Sequence, residues 1–211
     1  ITSISGNAEN LMTNETKLKQ EKRQKIYQDI YDDSVWLINL VENLLSVTRI
    51  ENGTMELNIQ GEVAEEVIEE ALKHINRRGK QQKIMIDCEE ILIAKMDVKL
   101  IFQVLINLVD NAVKYTPKGA EIVVGAKKCG DKVVFSVKDN GQGLTAEQKK
   151  RVFDMYYTVN NTVSDSRRGM GLGLPLCQAI IQAHGSELKI YDNAPTGTVF
   201  RFALEQEEIV L

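Results

Sequence analysis

The chain has 211 residues, 43% apolar and 27% charged, with a formal net charge of −4, the composition of a globular domain that can bury its own core without disulfides. A net acidic chain is a poor partner for nucleic acid. Three dispersed cysteines (Cys88, Cys129, Cys177) and two histidines (His74, His184) exclude a disulfide framework and a His/Cys metal cluster.

The apolar positions 1, 4, 8, 11 and 12 predict a helix to about residue 14. After a polar stretch, Ile26, Ile30, Leu37, Leu40, Leu44 and Val47 recur at steps of three and four, with Asp33 in the one slot that breaks the series. This is a heptad seam on a helix over about 19–51. Ile38, Val41 and Leu45 widen the stripe, as in a bundle helix with more than one neighbour. Asn52-Gly53 stops the helix and divides a helical pair, 1–52, from a region of alternating strands and helices, 53–211. In that second region the pattern predicts a strand at 55–60 and an amphipathic helix at 63–75 closed by Gly79. Strands follow at 83–87 and 91–95, then a strong helix at 97–115 stopped by Thr116-Pro117. Strands at 120–128 and 132–138 form a hairpin around Gly130-Asp131. A short helix at 145–152, a polar mobile loop at 158–168, a helix at 172–183 and strands at 187–191 and 198–204 complete the series. The apolar run at 100–109 is interrupted by Gln103 and Asn107, so nothing approaches the ~18 residues of a membrane span. The chain begins Ile-Thr-Ser-Ile, with no initiator methionine or signal-peptide pattern, and reads as an excised fragment.

Three motifs carry chemistry. In Asn107-Leu-Val-Asp-Asn111 the two amides lie four apart, on one helix face, with Lys114 and Tyr115 close behind. An amide oxygen suits Mg²⁺, and a lysine neutralises phosphate; asparagines merely facing water are the plain alternative. Val104, Leu105, Leu108 and Val109 show that part of this helix is buried. Asp139-Asn-Gly-Gln-Gly143 follows a strand. Its carboxylate accepts only, which suits the amine of adenine and repels the oxygen of guanine, and Gly141 and Gly143 let backbone approach a flat base. Alone, Asp-Asn-Gly is equally a turn. Gly169-Met-Gly171-Leu172-Gly173 opens a helix, where converging N–H groups and the helix dipole favour an anion; Arg167 and Arg168 precede it. A dinucleotide-binding fingerprint would need a preceding strand, and a polar loop precedes here.

In this order the motifs resemble the histidine kinase branch of the superfamily that includes gyrase and Hsp90. The resemblance covers essentially the whole chain. Residues 107–111 are similar to its N box, 139–143 to its G1 box, Phe153-Asp-Met-Tyr156-Tyr157 to its F box and 169–173 to its G2 box. Ala183-His184-Gly185 and Gly197-Thr198-Val199-Phe200 resemble its closing motifs, with Ser186 where a second glycine is usual. The resemblance implies an α+β fold: a two-layer α/β sandwich of the GHKL (Bergerat) ATP-binding type, preceded by an antiparallel helical hairpin. It implies ATP and Mg²⁺ as ligands. Asn111 would hold the metal, Asn107 and Lys114 would act at the phosphates in catalysis, and Arg168 would touch phosphate. Tyr115 would stack on adenine and Asp139 would read its amine. Gly141, Gly143, Gly169, Gly171, Leu172 and Gly173 would shape the pocket under a lid at 158–168.

The phosphoacceptor histidine of such proteins would lie just before Ile1. His74 and His184 would be structural, and this fragment would bind ATP without phosphorylating itself. The implied partners are a second copy through the hairpin and a response-regulator receiver domain. The implied location is the cytoplasmic segment of a membrane-anchored bacterial protein, with membrane contact only through regions outside these residues. Residues 36–51 with 2–9 are similar to potassium-responsive sensor kinases of the Kdp type. ATP-hydrolysing relatives place a glutamate where Asn107 stands, and an amide is no general base. That favours transfer over the rival reading of a gyrase- or Hsp90-like ATPase. The further rivals are a non-catalytic dimerising nucleotide-binding module and a helical scaffold whose glycine motifs are turns.

Overall fold

The structure is a computed structural model that describes residues 2–14, 18–51, 56–75, 82–89, 91–159 and 171–207. The chain divides into two compact units, Ile1–Ser46 and Val47–Leu211. The first holds helix α1 (Thr2–Asn14) and most of α2 (Gln20–Glu51). Leu11 and Ile26 are buried, while Ile38, Val41, Leu44 and Leu45 stand at 41–57% exposure. The helix predicted from the heptad pattern is therefore present, with much of its apolar stripe open to solvent. The predicted stop signal at 52–53 lies outside the described residues.

The second unit is the two-layer α+β arrangement expected. Its five-stranded sheet has the order β2-β4-β5-β7-β6. These strands are β2 (Lys83–Cys88), β4 (Glu121–Cys129), β5 (Lys132–Asp139), β7 (Thr198–Glu205) and β6 (Lys189–Asp192). β2 runs parallel to β4, and the other pairings are antiparallel. The β4–β5 hairpin turns where predicted, with Cys129 opposite Lys132. Alternation sends Ile122, Val124, Ala126, Val133, Phe135, Val137, Phe200, Phe202 and Leu204 to one face, all buried. Phe135 and Phe202 stack with centroids 5.0 Å apart.

Helices α3 (Ala64–Ile75), α4 (Val98–Tyr115) and α6 (Gly173–Ala183) form the core's other layer. Their apolar stripes include Ile68, Ile75, Ile101, Leu105, Leu108, Leu176 and Ile180, all fully buried. Each such side chain stabilises the fold by about 1.5–3 kcal/mol relative to exposure. A short helix α5 (Ala146–Arg151) opens with a capping box, Thr145 and Gln148 exchanging hydrogen bonds with each other's backbone.

Three strands differ from the sequence expectation. β1 is Gln60–Val63, not 55–60. It pairs with β3 (Ile93–Met96), Gln60 opposite Met96 and Val63 opposite Ile93. The pairing sets the strand. Just before it, the Asn58 N–H is drawn to Asp97 Oδ2 at 3.1 Å. Ile91 is not in β3: its φ of 41° marks a turn. β6 likewise begins at Lys189, two residues later than the pattern predicts.

Asp97 caps α4, its Oδ1 accepting from Lys99 and Leu100 N–H at 3.1 and 3.3 Å. The Asp97 N–H donates to His184 Nε2 at 3.1 Å, and His184 Nδ1 lies 2.8 Å from Ile180 O. The Asp97 donor makes Nε2 an acceptor, so Nδ1 carries the proton and donates. His184 thus ties the end of α6 to the start of α4, a structural role as expected. His74 packs edge-on against Phe102, centroids 5.8 Å apart.

Candidate nucleotide site

Helix α4 turns its buried positions inward and leaves Asn107 and Asn111 half-buried on another face, followed by the exposed Lys114 and Tyr115. Residues 107, 111 and 115 are successive steps of four, and 107 to 115 spans about 12 Å along the axis. Each end of this row meets one of the predicted glycine motifs.

At the C-terminal end, a Cβ built on Gly141 would lie 2.9 Å from Asp139 Oδ1, 3.1 Å from Thr116 Cγ2 and 3.4 Å from Tyr115 O. Asp139 therefore comes down beside Tyr115 and Thr116, and Gly141 leaves room for that approach. Asp139 is 9% exposed. Its Oδ1 accepts the Gly141 N–H at 2.8 Å and the Thr198 N–H at 3.3 Å. Burial pushes its pKa above the ordinary aspartate range, and the two N–H donors oppose that shift. Asn193 Nδ2 donates to the Asp139 carbonyl at 2.8 Å. Gly197, at φ +125°, packs on that carbonyl, and Gly143, at φ +74°, packs on Gly197. Asn193 and Gly197 thus hold the Asp139 main chain, and Thr198 holds its carboxylate. The sequence pointed to the 197–200 motif only as a closing feature. Contacts spanning more than fifty residues leave no local periodicity to find.

At the N-terminal end, Gly173, the first residue of α6, lies on Asn107: its built Cβ would be 3.1 Å from Asn107 Oδ1. Asn107 Nδ2 donates to Gln103 O at 3.0 Å, which turns Oδ1 toward Gly173. Among the described residues no side chain caps α6, and Pro175 has no N–H. The Gly173 and Leu174 N–H groups, in the first turn, have no partner within the helix itself and point to its positive end, where an anion is favoured. Leu172, the N-cap residue, is 3% exposed, so it offers the site main chain and not its side chain. Gly171 packs against the Tyr156–Tyr157 backbone. An open cavity of about 350 Å³ lies along that segment, lined by Arg151, Asp154, Met155, Tyr156, Tyr157 and Thr158. It does not include the α4 residues. The Lys114 ammonium lies 5.7 Å from the Tyr115 ring centroid, the outer reach of a cation–π contact. Arg168, Gly169 and most of the loop predicted at 158–168 lie outside the described residues.

The arrangement suits a base at one end of the α4 face and phosphates at the other. A single amide, Asn111, suits a metal that keeps waters and phosphate oxygens as its other ligands. Among the described residues no group of three His, Cys, Asp or Glu could hold a metal by itself. The Gly173 contact gives a separable test. Gly173→Ala is expected to keep or slightly raise the melting temperature, since alanine favours a helix. It should weaken ATP binding, because the methyl crowds the Asn107 amide. Thermal melts with calorimetry check both.

A family model described as histidine kinase-, DNA gyrase B-, and HSP90-like ATPase matches residues 96–208. The sensor protein KdpD of Clostridium acetobutylicum is 36% identical over 208 residues, 98% of this chain and 23% of that protein. KdpD of Escherichia coli is 36% identical over 169 residues, 80% of this chain and 19% of that protein. The chain spans about a quarter or less of these relatives. Among solved structures, the Acinetobacter baumannii histidine kinase AdeS superposes with a TM-score of 0.78 at 21% identity, covering 98% of this chain and 95% of that one. Histidine kinase ThkA, solved with response regulator protein TrrA, gives a TM-score of 0.71 at 24% identity, covering 97% and 58%. These two likenesses show the fold.

Proposed function

Because this chain belongs to the histidine kinase-, DNA gyrase B- and HSP90-like ATPase family, we propose that it is the catalytic core of a Kdp-type two-component sensor histidine kinase. It binds Mg-ATP and passes the γ-phosphoryl group to a histidine of the parent protein, from which it moves to a response-regulator aspartate. The observation that carries this reading is the α4 face from Asn107 to Tyr115, met by Gly173 at one end and by Asp139 and Gly141 at the other. In this reading Asp139 accepts the adenine amine, Tyr115 covers the ring, and Asn107, Lys114 and the α6 N-terminus hold the phosphates. Asn111 would hold Mg²⁺, which would supply charge neutralisation at the phosphates. Most of the rate then comes from alignment and charge stabilisation.

Asn107 offers no carboxylate to activate water, which supports transfer over hydrolysis. Both ring nitrogens of His184 are engaged and His74 packs edge-on against Phe102, which supports an acceptor histidine elsewhere in the parent protein. The open Ile38, Val41, Leu44 and Leu45 row on α2 supports homodimerisation through a helical hairpin at 1–52, with 53–211 as the ATP-binding domain. The ThkA–TrrA complex supports a receiver domain as partner. The KdpD relatives support a cytoplasmic place in a membrane-anchored parent. No helix among the described residues is long and apolar enough to cross a membrane.

Calorimetry tests the reading. Asn111→Ala is expected to weaken ATP about tenfold or more in Mg²⁺, a loss of about 1.4 kcal/mol, and to leave binding in EDTA unchanged. Equal affinity in Mg²⁺ would sink the metal assignment. Steady phosphate release by the wild-type chain would favour a hydrolase.

A further inference from the structure

Tyr156 is left-handed at φ 66°, a conformation rare for a residue with a bulky side chain. Packing of its own ring does not explain this, since the residue is 64% exposed. Its backbone does: the Tyr156 N–H donates to Gly171 O at 3.0 Å. Gly171 is itself left-handed at φ 66°, and a Cβ on it would lie 2.5–2.7 Å from Tyr157 O, Tyr156 C and Tyr157 N. The 156–157 peptide therefore lies flat on Gly171, two residues before Gly173 and its contact with Asn107. Around this junction, Tyr157 N–H reaches Asp154 O at 3.2 Å and the Arg151 guanidinium sits 4.5 Å over the Tyr157 ring. The segment is held from its own side, so it can act as an anchor.

We propose that Tyr156 is a positioning residue for the phosphate end of the nucleotide: its left-handed backbone clasps Gly171 and so seats the first turn of α6 against Asn107. The inference rests on the nucleotide reading above. It adds that the 153–157 segment determines selectivity for triphosphate over monophosphate without touching the base. The strained residue is kept for the direction of its N–H, not for its ring.

The test separates backbone from side chain. Tyr156→Pro removes the N–H and forces φ negative. Tyr156→Val keeps the N–H but strongly disfavours positive φ. Tyr156→Gly adopts φ 66° freely and loses only the ring. Thermal melts establish which variants are folded, and calorimetry with Mg-ATP and with AMP reads the site. The proline and valine variants are expected to lose about tenfold or more in ATP affinity and to keep wild-type affinity for AMP. The glycine variant should match wild type for both.

Wild-type ATP affinity in both the proline and valine variants would overturn the proposal. So would equal losses for ATP and AMP, or a glycine variant as weak as the proline one. A wild-type chain that binds neither nucleotide would overturn the nucleotide reading and this inference together, whereas a binding wild type with indifferent variants overturns the inference alone.

Discussion

Asp139→Asn is expected to abolish adenine-nucleotide binding while leaving the fold at least as stable. Asparagine is nearly isosteric, and its amide oxygen can keep the Gly141 and Thr198 N–H bonds now made by Oδ1. The other carboxylate oxygen becomes an NH₂ group. Where the carboxylate accepts from the adenine amine, two donors would then face each other in a buried place. Sites that lose a required hydrogen-bond match in this way reject the ligand by about 10⁴-fold.

Stability should move the other way. Burial raises the Asp139 pKa in the folded chain, so folding favours the protonated form. The associated stability is full below the unfolded pKa and is lost as pH rises through the folded one. At neutral pH the ionised carboxylate therefore costs stability, and the neutral amide removes that cost. The variant should melt at or above wild type at pH 7, with the gap closing toward the ordinary aspartate range near pH ~4. For the same reason, wild-type ATP binding should weaken on acidification earlier than an ordinary aspartate would allow. Unchanged affinity in Asp139→Asn would remove the base-reading role.

Gly197→Ala is expected to be the most damaging single methyl in the site. Its Cβ would lie 1.9 Å from the Asp139 carbonyl oxygen, 2.8 Å from its carbon and 2.9 Å from Asn140 Cα. All three are backbone atoms, with no flexible side chain to yield. The residue also sits at φ +125°, where an L side chain is strained. Strain and overpacking each cost about 1–3 kcal/mol. A loss of about 3 kcal/mol or more corresponds to about 6–12 °C in melting temperature for a unit of this size. Moving Asp139 should also destroy ATP binding. Gly130→Ala is the control. Gly130 shares a positive φ of 65° but has open space around it, so it should lose only the conformational term of about 1–2 kcal/mol. Equal melting losses in the two variants would show that the close approach of Gly197 to Asp139 carries no energy.

The long helices were legible because their apolar periodicity is strong: α3 and α4 begin within one residue of their predicted starts and end where predicted, once Val63 is given to β1 and Asp97 to the cap. Strand edges were less so, because an edge is set by the partner. β1 lies where β3 pairs with it, and no feature of residues 55–63 alone says which four will find that partner. The site followed the same division. Asn107, Asn111, Asp139 and Gly141 stand in short motifs visible in the sequence, and the structure brings helix α4 against the Asp139–Gly141 turn. Gly197 and Thr198 act through the Asp139 carbonyl and carboxylate, across a sheet that only folding assembles. The sequence pattern marked the strand at 198–204 but not the group that Gly197 and Thr198 hold.

The strand order has a consequence for how such a chain is made on the ribosome. β5 lies at the middle of the sheet, flanked by β4, which emerges just before it, and by β7, which emerges some sixty residues later. During vectorial synthesis the inner side of Phe135 waits for Phe202, and the Asp139 carboxylate waits for the Thr198 N–H. The nascent polypeptide thus exits with a half-built sheet whose missing neighbour is β7, the final strand among the described residues. Competence to hold a nucleotide then arises only once β7 has emerged, as one event with the sealing of the core.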